Sequence, residues 1–175
     1  MGYREKYNEW LSFDEKTREE LESIKDEKEI EDRFYKDLSF GTGGLRGIMG
    51  AGTNRMNKYT VGKATYGIAN YIKNELGGSQ SVVLAYDSRN NSAAFASTAA
   101  GIFASCGLKV YLFEYLVPVP VLSFSVSFLG CSCGVMLTAS HNPKEYNGYK
   151  VYDSTGCQLC TDDAEKALSY INKVQ

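Results

Sequence analysis

The sequence holds a single histidine, His141, in 175 residues. One imidazole excludes any mechanism in this chain that needs two, and any histidine-rich metal site. A Ser-His-Asp hydrolase is disfavoured as well. Ser140 and His141 are sequence neighbours whose side chains are expected to diverge, and no Gly-x-Ser-x-Gly elbow is present. Excess charge of either sign is missing: 19 basic residues face 21 acidic ones, for a net charge of −2. No basic field invites nucleic acid, and no polybasic patch invites a membrane surface. No apolar run reaches the roughly 20 residues of a spanning helix. Met1-Gly2-Tyr3-Arg4-Glu5 does not open a signal peptide, so a cytoplasmic location is expected. The cysteines are few and odd in number: Cys106, Cys131, Cys133, Cys157 and Cys160. That argues against a disulfide framework, and neither Cys131-Ser-Cys133 nor Cys157-Gln-Leu-Cys160 has the matching second pair of a zinc site. Reduced thiols are expected. Internal repeats and low-complexity tracts are also lacking.

What is present is a rhythm of helices and strands. Ser12-Phe13-Asp14-Glu15 reads as a capping box before a helix carrying Leu21 and Ile24. Ile30, Phe34 and Leu38 recur at helical spacing, giving a second short amphipathic helix. Thr60 is the expected cap of a helix from Val61 to Leu76 that ends at Gly77. Ser81 to Tyr86 reads as a strand, Ser92 caps a helix that stops at Gly107, and Leu108 to Phe113 is a further strand. Val119 to Leu129 fits both periods, and the surrounding alternation favours a helix. Thr161 caps a last helix bearing Leu168, Ile171 and Val174. The expected fold is α/β: a layered domain with a mixed, mostly parallel sheet flanked by helices, plus an N-terminal helical extension over residues 1–38.

Two stretches carry candidate chemistry. Gly41 to Gly52 has six glycines in twelve residues. It reads either as a flexible surface loop or as a loop bringing backbone N–H groups and Arg46 close to a phosphate. Gly134 to Asp153 begins with the apolar run Val135-Met136-Leu137 and breaks into small polar residues from Thr138 to Asn142. It turns at Pro143 and at Asn147-Gly148, then resumes a strand from Tyr149 to Tyr152. Ser140 thus stands at a loop tip and Lys150 returns ten residues later. A hydroxyl and a returning ammonium suit phosphoryl transfer; a polar turn joining two strands is equally allowed by these residues alone. Ser140, Asp87 and Arg89 each follow a strand, so they are expected to share one rim.

The whole strings decide between these readings. Thr138-Ala139-Ser140-His141-Asn142-Pro143 with Tyr146-Asn147-Gly148-Tyr149-Lys150 resembles the phosphoserine loop of the α-D-phosphohexomutases, the phosphoglucomutases and phosphomannomutases. Gly41-Thr42-Gly43-Gly44-Leu45-Arg46-Gly47 resembles their N-terminal signature, and Asp87-Ser88-Arg89 their Asp-x-Arg. The continuation through Asn54-Arg55-Met56-Asn57 is similar to the phosphoglucomutase-2-like branch. The resemblance implies that residues 39–175 form the first of four domains, the phosphoserine-bearing one. It implies transfer of a phosphoryl group between the 1 and 6 positions of a hexose, or 1 and 5 of a pentose, through a bisphosphorylated sugar.

By position, Ser140 would be the phosphoserine and Lys150 the general acid/base, with His141 and Asn142 orienting the loop. Thr42 and Arg46 would meet substrate, with Lys144 and Arg89 as electrostatic support. The implied cofactor is Mg²⁺, reached in this chain only through a phosphate on Ser140, because no Asp-x-Asp-x-Asp-Arg loop occurs here. The implied partners are sugar phosphates, a sugar bisphosphate and the remaining domains. A piece of this kind is expected to fold and not to turn over alone. The competing reading is a non-catalytic sugar-phosphate-binding module arising by natural truncation.

Overall fold

The structure is a computed structural model describing residues 1–41 and 43–174. Its helices are α1 (Tyr3–Trp10), α2 (Glu15–Ser23), α3 (Glu27–Phe34), α4 (Lys58–Glu75), α5 (Ser92–Ser105), α6 (Val119–Phe128) and α7 (Thr161–Ile171). Its strands are β1 (Phe40–Gly41), β2 (Gly44–Ile48), β3 (Ser81–Tyr86), β4 (Lys109–Leu112), β5 (Cys133–Leu137) and β6 (Tyr146–Tyr152). They form one sheet in the order β1-β2-β6-β5-β3-β4. β4, β3 and β5 pair in parallel, while β5–β6, β6–β2 and β2–β1 pair antiparallel. The α/β sheet is therefore mixed, as expected, with β2, β3, β4 and β5 pointing one way.

The period-two alternation of each strand splits the core between two helical layers. Val82, Leu84, Val135, Leu137, Tyr149 and Val151 face α4, α5 and α7. Val83, Ala85, Met136 and Tyr152 face α6 through Leu122 and Val126. β5 is buried along its whole length, which is why it reads as a continuous apolar run. α4 and α7 cross closely at Gly67, where an added Cβ would lie 2.5 Å from the Ile171 Cα.

The N-terminal helices form a third cluster, with Trp10, Leu21, Ile30 and Phe34 around Ala51. Arg33 ties this cluster to the domain, donating to Glu20 and to the Ala51 carbonyl at 2.6 and 3.0 Å. Arg55 donates to Asp32 at 2.7 Å.

Several local expectations are corrected. α1 falls within the helical extension expected over residues 1–38, without bounds of its own having been forecast. Asp14, not Ser12, caps α2 by accepting from the Thr17 N–H. Asn57 caps α4, and Thr60 is the reciprocal member of that box, three residues in. Asn91 and Cys160 occupy the caps foreseen for Ser92 and Thr161. Leu38 lies beyond the end of α3. The glycine-rich stretch is strand from Gly44 to Ile48, because β2 pairs with β6, with Leu45 opposite Tyr149 and Arg46 opposite Gly148; Gly50 to Gly52 lie outside the strands. For the same reason Asn147-Gly148 is strand, not turn. Sheet pairing outweighs the local turn preference of an Asn-Gly pair.

Candidate active site

The carboxyl ends of β2, β3 and β5 meet the start of β6 on one rim. Ser140 stands there, exposed, two residues beyond the buried Thr138. Its backbone is left-handed, with φ +58°. A non-glycine residue held there costs on the order of 1–3 kcal/mol, and such strain collects at functional positions. Its Oγ lies 3.4 Å from His141 Nδ1, at the long end of hydrogen bonding. The two neighbouring side chains thus approach each other instead of diverging, a consequence of the left-handed turn. Among the described residues the imidazole makes this contact with the serine and no hydrogen bond or ion pair with a carboxylate.

Arg46 and Lys150 share the sheet face opposite the α4–α7 layer. Arg46 sits across from Gly148, two residues from Lys150 along β6, and Lys150 is paired with Met136 on β5. Gly148 leaves no side chain between the two cations. A Cβ there would lie 2.5 Å from the Thr138 carbonyl oxygen and 2.9 Å from that of Leu45. Arg46 is exposed and donates to Asn142 Oδ1 at 3.0 Å, joining the hairpin to the serine loop. Lys150 is half-buried and has no carboxylate partner among the described residues. Burial, and after it the Arg46 charge, pulls its pKa below the ordinary value of 10.5. A lysine so placed gives up its proton more readily than a solvated one.

Lys144 is exposed on the same loop and makes no ion pair among the described residues. Arg89 points into the loop. It donates from Nη2 to the carbonyls of Ser140 and Asn142, at 2.9 and 2.6 Å, and from Nη1 to those of Pro143 and Tyr146, at 2.9 and 3.1 Å. Thr42 lies outside the described residues; its neighbour Gly43 accepts from the Val151 N–H at 2.8 Å. Ser140, His141, Asn142, Arg46 and Arg89 are therefore brought together on one rim, with Lys150 behind Arg46 on the same face.

Three polar groups in contact with this rim were not among the expected site residues: Thr138, Ser92 and Asn147, all buried. A small polar residue directly after an apolar strand was the available signal. All five cysteines are free thiols, and burial pushes Cys133 up to about 12, which keeps it protonated and inert.

An α/β/α domain displaying a strained serine on a strand-end rim, with Arg46 bonded to the same loop, suits phosphate chemistry. The sequence profile of phosphoglucomutase/phosphomannomutase, alpha/beta/alpha domain I, matches residues 37–175. A phosphoglucomutase of Staphylococcus epidermidis is 42% identical over 168 residues, covering 95% of this chain and 31% of that protein. One from Staphylococcus aureus is 45% identical over 150 residues, covering 85% and 27%. Among solved structures, a candidate phosphomannomutase from Thermus thermophilus superposes with a TM-score of 0.71 at 34% identity, covering 78% of this chain and 30% of that one. The chain belongs to the phosphoglucomutase/phosphomannomutase family, as its domain I. It spans less than a third of the length of these relatives.

Proposed function

We propose that this chain is the phosphoserine-bearing domain of a sugar-phosphate mutase, with Ser140 as the phosphorylated residue. The supporting observation is an exposed serine in a strained turn at a strand-end rim, with Arg46 bonded to its loop through Asn142 and, on the same sheet face, a lysine whose proton affinity is lowered. In the forward step a free sugar hydroxyl attacks the phosphorus of phospho-Ser140. The bond from phosphorus to the serine Oγ breaks as the new one forms, and the hydroxyl proton passes to neutral Lys150. The resulting sugar bisphosphate reorients and returns its other phosphate to Ser140. That exchanges the 1 and 6 positions of a hexose, or 1 and 5 of a pentose. Arg46 stays charged and neutralises phosphate; Lys144 adds positive charge at the rim, and His141 and Asn142 orient the serine loop.

Mg²⁺, when bound, would neutralise charge on the transferring group. The chain offers it only the phosphate oxygens of phospho-Ser140, because no group of three His, Cys, Asp or Glu side chains among the described residues converges on a cation. Its other ligands and the sugar-recognising groups belong to the rest of the mutase polypeptide. No helix among the described residues is long and apolar enough to cross a membrane, and the reading places the mutase in the cytoplasm, acting on free sugar phosphates. Peptide mapping of the full-length mutase, purified without phosphatase, tests the assignment. Phosphate on Ser140 is expected; phosphate on Ser88 or Ser154 in its place overturns it.

A further inference from the structure

The strained backbone of Ser140 is held from both sides. Its N–H donates to Thr138 Oγ1 at 3.0 Å, and its carbonyl accepts from Arg89 Nη2 at 2.9 Å. Both partners lead to one carboxylate. Thr138 Oγ1 donates to Asp87 Oδ2 at 2.6 Å, and Arg89 Nε lies 3.6 Å from the same oxygen. The other oxygen, Oδ1, accepts from the Arg89 backbone N–H at 3.0 Å and from Ser92 Oγ at 2.9 Å.

The proton directions are determined. Thr138 Oγ1 already receives the Ser140 N–H, and Ser92 Oγ already receives Asn147 Nδ2 at 3.0 Å. Each hydroxyl gives its one proton to the Asp87 carboxylate, which accepts it. Every group facing this carboxylate is a donor. An amide in its place has the same shape and turns an N–H against a group that has none to accept it.

We propose that Asp87 is the positioning residue of the phosphoryl-carrying serine: acting through Thr138 and Arg89, it locks Ser140 in the left-handed turn and so aims its Oγ. The proposal rests on the reading of Ser140 as the reacting group. Asp87 touches neither sugar nor phosphate, and it takes Arg89 away from phosphate contact into loop construction. Its carbonyl-facing guanidinium would act on Ser140 through geometry alone. Loss of the lock should let the serine turn relax, which slows transfer without weakening sugar binding.

The test uses the full-length mutase with Asp87→Asn, Thr138→Val and Thr138→Ser, read by steady-state kinetics and by amide hydrogen exchange over residues 137–146. Asp87→Asn and Thr138→Val are expected to lower kcat by about 10- to 100-fold with KM changed less than about 3-fold. Exchange at the Ser140 amide should rise about 10-fold or more, while the melting temperature shows that the fold persists. Thr138→Ser keeps the hydroxyl and should restore both readouts. Unchanged Ser140 exchange in Thr138→Val overturns the proposal, and so does equal damage by Thr138→Ser. If Asp87→Asn does not fold, the two Thr138 variants decide the question alone. Ser140→Ala separates the two readings. Full activity in that variant defeats the serine's role as carrier, whereas Ser140 exchange in the Thr138 variants still reports on the lock.

Discussion

The two halves of the sheet are built to opposite ends. In the parallel half, the inner strands β3 and β5 have helices on both faces, with fully buried residues such as Leu84, Val135 and Leu137, and β4 forms the part-exposed edge. In the antiparallel half, β6-β2-β1, one face packs through Leu45, Tyr149 and Val151 while the other carries Arg46 and Lys150. α6 lies over β3 and β5, leaving Arg46 in solvent and Lys150 half-buried. The covered half holds the domain together. The open half keeps two like charges close, which a packed interface would not tolerate, and that repulsion adds to burial in lowering the proton affinity of Lys150. The serine loop hangs where the two halves join, between β5 and β6.

Replacing the two cations of the open half should damage chemistry, and replacing core residues of the covered half should damage stability. The largest effect is expected from Lys150→Ala in the full-length mutase, a fall in kcat of about 10² to 10⁴-fold, the usual scale for a general acid/base. Substrate binding should weaken far less. Lys150→Arg keeps the charge without a removable proton, and near-normal kcat in that variant would make Lys150 a clamp and send the proton elsewhere. Leu84→Ala, in the covered half, should cost this domain about 2–5 kcal/mol in urea unfolding, as expected for a filled core site whose isobutyl side chain is cut back to a methyl. Arg46→Ala should leave the same unfolding curve within about 0.5 kcal/mol. A large stability loss in Arg46→Ala would erase the division between the halves.

Gly148→Ala tests the seam between β6 and the serine loop. The new methyl would press on the Thr138 and Leu45 carbonyls, and a loss of about 1–3 kcal/mol in chemical unfolding is expected from such overpacking. The smallest effect belongs to Lys150→Met, and its sign is opposite. Folding lowers the Lys150 pKa, so the folded chain binds that proton more weakly than the unfolded one. The resulting penalty is complete below the lowered pKa and fades as pH rises from there toward 10.5. Lys150→Met should therefore raise the melting temperature at pH 7 by an amount worth less than about 1 kcal/mol, a gain that shrinks in alkaline buffer. A destabilised Lys150→Met at pH 7 would show the ammonium to be favourably placed.

Much of the covered half, and the family to which the chain belongs, can be read from the residues alone. β3 and β5 are legible because strands covered on both faces become unbroken apolar runs, and α4, α5 and α7 because each has one apolar stripe. α6 was ambiguous for a visible reason: Leu122 and Val126 face inward while Phe124 and Phe128 stack outward, exposed, with ring centroids 5.3 Å apart. Apolar side chains on both faces erase the periodic signal. The Ser140 loop was recognisable as a string of residues, with no geometry attached.

The open half, by contrast, takes its form only on folding. Gly44 to Ile48 and Asn147-Gly148 have the composition of loop and turn, and they became strand through pairing with each other across about a hundred residues of chain. Arg89 looked free to meet phosphate, yet its donors are taken by four carbonyls of a loop more than fifty residues away. The lowered proton affinity of Lys150 needs burial and the neighbouring Arg46, which are 104 positions apart in sequence and two along the strand in space. Local propensity acts over a few residues, whereas these properties arise from backbone pairing and charge proximity that exist only after the chain has closed on itself.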